Sequence, residues 1–152
     1  MRMLNSKKKI SVDEIREIER VIGLSIPEDL KAFYLLHNGG RPEKCDYIKN
    51  DECYIIHTFF EMIPGEDSSG TGFCGIYIDL VLENDLFPDN VIPFADDPGG
   101  DFFVYSVGSK NYGAVCCVRS DYYEDPDRYV VVIANSFSEF ADGLVDLEAS
   151  GS

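Results

Sequence analysis

The chain has 152 residues, 45% of them apolar, and a formal net charge of −15. A chain of that length folds as one domain that buries roughly two-thirds of its unfolded surface, and no apolar run in it approaches the roughly 18 residues of a membrane span. So negative a molecule repels nucleic acid and anionic membrane surfaces, and it attracts a basic partner.

Residues 1–9, MRMLNSKKK, form a flexible basic lead without the apolar stretch of a secretory signal. The domain spans residues 10–148, and residues 149–152 are a tail. Residues 10–40 read as two amphipathic helices. Ser11 and Glu14 form a capping box, in which each side chain satisfies a backbone N–H that a first helical turn leaves unpaired. Val12, Ile15, Ile18 and Ile22 recur at intervals of three and four and build one apolar stripe. Gly23 closes that helix in the left-handed conformation. Pro27 sits in the first turn of the next, where its missing N–H costs nothing. Ile26, Leu30, Phe33, Tyr34 and His37 continue the stripe, and Asn38-Gly39-Gly40 ends it. On that stripe His37 is expected to be a packed, hydrogen-bonded core residue.

A polar connector, RPEKCDYIKNDE, leads to a strand predicted over residues 53–60. His57 lies in that strand with no obvious partner acid. The glycine-rich stretch 64–72 follows. Its glycines hint at a phosphate loop, but the required lysine is absent, and Glu66 and Asp67 would repel phosphate. Residues 75–85 are ambiguous. Ile76, Ile78, Leu80 and Leu82 alternate as in a strand, which the pattern slightly favours, whereas Ile76, Asp79 or Leu80, and Glu83 also suit a helix. Residues 91–95 and 102–107 predict a hairpin around the turn DDPGGD. AVCCV predicts the next strand, and SDYYEDPDR an acidic, tyrosine-rich loop. Residues 129–134, YVVVIA, form a continuous apolar run that reads as a central strand. Ser136 and Glu139 form a second capping box, and Phe137, Phe140, Leu144 and Leu147 stripe a closing helix. The order of elements is that of an α+β domain.

Little in this pattern suggests catalysis. The five cysteines, Cys45, Cys53, Cys74, Cys116 and Cys117, are odd in number, which fits free thiols in a reducing cytoplasm. Cys116 and Cys117 are neighbours in a strand and point to opposite faces. Cys45, Cys53 and His57 match no zinc spacing, and DDPGGD does not follow the calcium-loop order. No GxSxG, HExxH or paired-cysteine motif occurs. The expectation is a binding module with no catalytic residues, no metal and no cofactor. Charge is its strongest signal. Residues 1–50 carry 10 Lys/Arg and 8 Asp/Glu, a net +2, while residues 51–152 carry 3 and 20, a net −17.

The string Gly23-Leu24-x-Ile26-Pro27-x-x-Leu30-x-x-Phe33-Tyr34-x-x-x-Asn38-Gly39-Gly40 resembles the opening of the SUKH superfamily. Two later blocks extend the resemblance over most of residues 10–147. Ile92-Pro93-Phe94-Ala95 with Gly99-Gly100-Asp101 and Phe102-Phe103-Val104 is one, and Ser136-Phe137-Ser138-Glu139-Phe140 is the other. The absence of tryptophan departs from many members. The resemblance implies a mainly antiparallel twisted sheet with two N-terminal helices, a short helix within residues 75–85 and a C-terminal helix. It also implies a non-enzymatic protein. In bacteria this would be an immunity protein that neutralises a cognate polymorphic toxin, for which a basic nuclease-type domain suits the charge. The alternative it implies is a regulatory scaffold like the fungal cell-wall synthesis regulators. The contact is expected in the acidic tips: Asp96, Asp97 and Asp101 at the hairpin turn, and Asp121, Tyr122, Tyr123, Glu124, Asp125 and Asp127 in the next loop.

Overall fold

In the computed structural model, which describes residues 1–5, 7–64 and 70–147, the chain opens on α1 (Val12–Ile22) and α2 (Glu28–Leu36). The Glu14 N–H donates to the Ser11 hydroxyl at 3.2 Å, and the Ser11 N–H donates to the Glu14 carboxylate at 3.0 Å. Ile10 and Ile15, both buried, have the spacing of a hydrophobic staple across that cap. Ile15, Ile18 and Ile22 enter the core, but Val12 is 50% exposed. At 100° per residue Val12 lies about 90° from the mean direction of the three isoleucines, so the stripe excludes it. The Glu19 carboxylate joins the two helices, accepting from the Ile26 N–H at 2.6 Å and pairing with Lys31 at 3.2 Å.

Asn38 and its glycines are a junction between α2 and the sheet. The Asn38 amide accepts from the Met62 N–H at 2.8 Å and donates to the carbonyls of Met62 at 3.0 Å and Lys8 at 2.7 Å. Gly39 and Gly40 have φ of 84° and 109°. A Cβ at Gly39 would stand 2.8 Å from the Glu61 Cα, and one at Gly40 would collide with the Asn5 carbonyl. Only glycine meets both demands. His37 is not in the core. It caps the end of α2, half-buried, with its ring 5.5 Å from that of Phe33.

The polar connector is not a plain loop. It holds β1 (Asp46–Lys49), which pairs antiparallel with β2 (Glu52–Ile55). Asn50 and Asp51 make the turn with φ of 51° and 64°, the two positive values that a tight hairpin of matching twist needs. The strand expected over residues 53–60 therefore breaks. Its first part belongs to this hairpin, and its second, β3 (Thr58–Phe59), begins another sheet.

That sheet is an antiparallel meander in the order β3-β4-β5-β6-β7, with β4 at Val91–Asp96, β5 at Phe102–Ser106, β6 at Val115–Val118 and β7 at Val130–Ala134. One face, with Ile92, Phe94, Phe103, Tyr105, Val115, Cys117 and Ile133, packs on the helices. The other, with Val91, Val104, Cys116 and Val118, is covered by Phe87. Cys116 and Cys117 thus face opposite ways, as their adjacency in a strand requires. Burial on both faces also explains the unbroken apolar runs. The run at residues 129–134 is an edge strand and not a central one, and Val132 is 43% exposed.

Residues 75–85 are mostly helical. α3 (Phe73–Tyr77) runs into a π-helical turn, Ile78–Leu82, so the helical reading prevails over the strand-like alternation. The closing helix, α5 (Phe137–Asp142), is shorter than its stripe suggested. Leu144 and Leu147 lie beyond it, where Asp46 and Val145 exchange backbone hydrogen bonds at 2.8 and 2.9 Å. Its cap also differs from a full box: Ser136 accepts from the Glu139 N–H, but the Glu139 carboxylate accepts from Asn135. Most of the glycine-rich stretch, residues 65–69, and the tail from 149 to 152 lie outside the described residues.

Candidate binding surface

The two acidic tips meet. In the β4–β5 turn the Asp97 carboxylate accepts from the N–H groups of Gly99 at 2.8 Å and Asp101 at 2.9 Å, so it closes the turn from within. Asp101 reaches across to the loop after β6, where its carboxylate accepts from the Ser120 N–H at 3.0 Å. The Ser120 hydroxyl returns a bond to the Gly100 carbonyl at 3.2 Å. Burial pushes the Asp101 carboxyl above its ordinary value. The Ser120 N–H opposes this, the charges of Asp97 and Asp121 add to it, and Arg119 opposes it again. Asp97, Asp101 and Asp121 therefore share one corner of the molecule.

Asp96 is engaged elsewhere. Its carboxylate lies 3.2 Å from the His57 Nδ1, because β3 and β4 pair Thr58 with Asp96. His57 does have a partner acid, brought from 39 residues away. Burial raises the Asp96 carboxyl, and the bond to His57 opposes that shift.

The acidic loop after β6 is more ordered than its composition suggests. It contains a 3₁₀ turn, Ser120–Tyr122, and a short helix, α4 (Pro126–Tyr129). Asp125 caps that helix, accepting from the Asp127 N–H at 3.2 Å, and pairs with Arg128 at 3.5 Å. Tyr122 lies against two guanidinium groups, Arg119 at 4.7 Å and Arg128 at 5.7 Å from its ring centre. Tyr123 is 51% exposed, and its hydroxyl donates to Glu124 at 3.2 Å. Asp121, Glu124 and Asp127 lie exposed.

Arg119 and Arg128 are the residues that sequence reasoning missed. They are two of the three cations after residue 50, and they bracket the acidic run as Arg119-Ser-Asp-Tyr-Tyr-Glu-Asp-Pro-Asp-Arg128. The Arg119 guanidinium donates to the Arg128 carbonyl at 2.8 Å, which draws the two ends of the loop together. Their position at its ends was the available signal.

The chemistry on offer is that of ionic and hydrogen-bonded contact. Among the described residues no three His, Cys, Asp or Glu side chains gather as metal ligands would. The Cys53 thiol donates to Asp46 at 3.7 Å. Burial pushes the thiols of Cys116 and Cys117 up to about 11 and about 12, so both stay protonated at neutral pH. No helix among the described residues is long and apolar enough to cross a membrane.

The model of the SMI1 / KNR4 family (SUKH-1) matches residues 9–143. The chain is also 30% identical, over 146 residues, to the SPbeta prophage-derived uncharacterized protein YokK of Bacillus subtilis (strain 168). That alignment covers 88% of this chain and 74% of the relative.

Proposed function

Because the chain belongs to the SMI1 / KNR4 family (SUKH-1), we propose that it is a cytoplasmic immunity protein that binds and neutralises a cognate bacterial toxin. The toxin is a basic, nuclease-type domain, and the bond between them is made through the acidic corner. The observation that carries this reading is the pair of hydrogen bonds between Ser120 and the Gly100–Asp101 turn, which joins two acidic tips into one surface. A nuclease grips phosphates with a basic face, and a surface of carboxylates competes for that face. The prophage origin in the relative's name is compatible with a bacterial setting of this kind.

The nine acidic and aromatic residues divide into two groups. Asp96, Asp97, Asp101 and Asp125 are spent on bonds within the fold: Asp97, Asp101 and Asp125 shape the surface through the turn, Ser120 and α4, and Asp96 is held by His57 outside it. Asp121, Glu124 and Asp127 meet the partner's cations. Tyr123 and the exposed part of Tyr122 supply contact area at small entropic cost. The test is co-expression with the toxin-like protein encoded beside the gene. A stable complex and restored growth are expected. No complex and no protection would contradict the reading.

A further inference from the structure

The five-stranded sheet has two edges, and among the described residues only one is closed. At β3, Phe59 and Gly40 exchange backbone hydrogen bonds at 2.9 and 3.0 Å. At β7 no described residue pairs with the outer side. The register shows which groups face outward there. The Arg119 N–H donates to the Tyr129 carbonyl at 2.8 Å, so these two residues are a hydrogen-bonded pair. Antiparallel pairs alternate. Val131, opposite Cys117, therefore bonds to β6. Val130, opposite Val118, and Val132, opposite Cys116, turn their N–H and C=O groups away from it. A register shift beyond Val132 limits this open stretch to residues 130–132.

The edge carries no lysine or proline to block another strand. Its flanks are acidic. Asp125 and Asp127 precede it, with Arg128 already paired to Asp125, and just past its end the Glu139 carboxylate accepts from the Asn135 N–H. A second copy would set −15 against −15, whereas a cationic strand would be drawn in. We infer that the outer edge of β7 takes up an extended, basic strand of the partner protein as a sixth strand of the sheet. This rests on the reading that the partner is a basic protein, and it adds the mode of binding. The backbone of Val130 and Val132 supplies the hydrogen bonds, and the acidic flanks select lysine and arginine side chains.

The probe is an acetylated and amidated octapeptide of alternating lysine and valine, added to the isotope-labelled full chain. Amide hydrogen exchange is read residue by residue by NMR at low salt. The Val130 and Val132 amides should exchange about tenfold more slowly at saturating peptide, while Val131, already bonded to β6, should not change. A glutamate–valine octapeptide should leave all three unchanged. Val132→Lys, a surface change, should weaken the lysine peptide and leave the rest of the spectrum as it was. Unchanged exchange at Val130 and Val132 overturns the inference, and so does equal slowing by the acidic peptide or undiminished slowing in Val132→Lys. Shifts confined to residues 121–127 would overturn the edge while leaving the acidic-surface reading standing.

Discussion

The two-helix lead and the acidic corner use their polar groups in different ways. In the lead, Asn38 and Glu19 spend their hydrogen bonds on backbone that would otherwise be unpaired, the first buried and the second half-buried. In the corner, half of the carboxylates do the same kind of work, as Asp97, Asp101 and Asp125 show, while Asp121, Glu124 and Asp127 lie exposed. A residue type therefore does not say whether a position holds the fold or meets a partner. Its hydrogen-bond partners do. Substitutions in the lead should cost stability, and substitutions at the exposed acids should cost binding alone.

Leu30→Ala should show the lead at its most sensitive. Leu30 is 0% exposed, and its truncation should cost about 3 to 4 kcal/mol, measured by denaturant unfolding. Asn38→Ala should cost about 2 to 3 kcal/mol, because it strands the buried N–H and C=O of Met62. A loss below about half a kcal/mol in either would erase the contrast with the corner.

Asp101→Asn probes the boundary between the two classes. The raised carboxyl of Asp101 stabilises the fold most at pH below its unfolded value, and that contribution is lost as pH rises through the folded value. The asparagine retains an oxygen that can accept from Ser120 and does not titrate. Relative to wild type, the variant should be more stable at pH 7 than at pH 4.5, by thermal melts at both. The opposite trend would mean that the carboxylate is held by favourable charge and not strained by burial. The smallest effect is expected for the triple reversal of Asp121, Glu124 and Asp127 to lysine, which should leave unfolding stability within about 0.5 kcal/mol of wild type. Asp125 is left out because it caps α4 and pairs with Arg128.

How much was legible in the sequence follows from range. The caps of α1 and the stop at Asn38-Gly39-Gly40 were readable because they depend on neighbours a few residues apart. Val12 was misplaced only because interval counting ignores the angle that separates it from Ile15, Ile18 and Ile22. β1 was missed because DYIK is short and half charged, and its pairing depends on the backbone of Asn50 and Asp51 more than on apolar alternation. The edge position of β7 was hidden because an apolar run reports burial and not strand order. In the corner, the acidic residues were visible in composition. The bonds that sort them, Asp96 to His57 and Asp101 to Ser120, span 39 and 19 residues and exist only once the sheet has formed.

The most direct measurement is the affinity for the toxin-like protein encoded beside the gene, followed against salt concentration for wild type and for the Asp121, Glu124 and Asp127 reversal. Wild type should bind with an affinity that falls steeply as salt rises, and the reversed protein, folded and equally stable, should bind far more weakly at low salt with most of that slope gone. Equal affinity and equal salt dependence in the two proteins would contradict the claim that this acidic corner is where the partner binds.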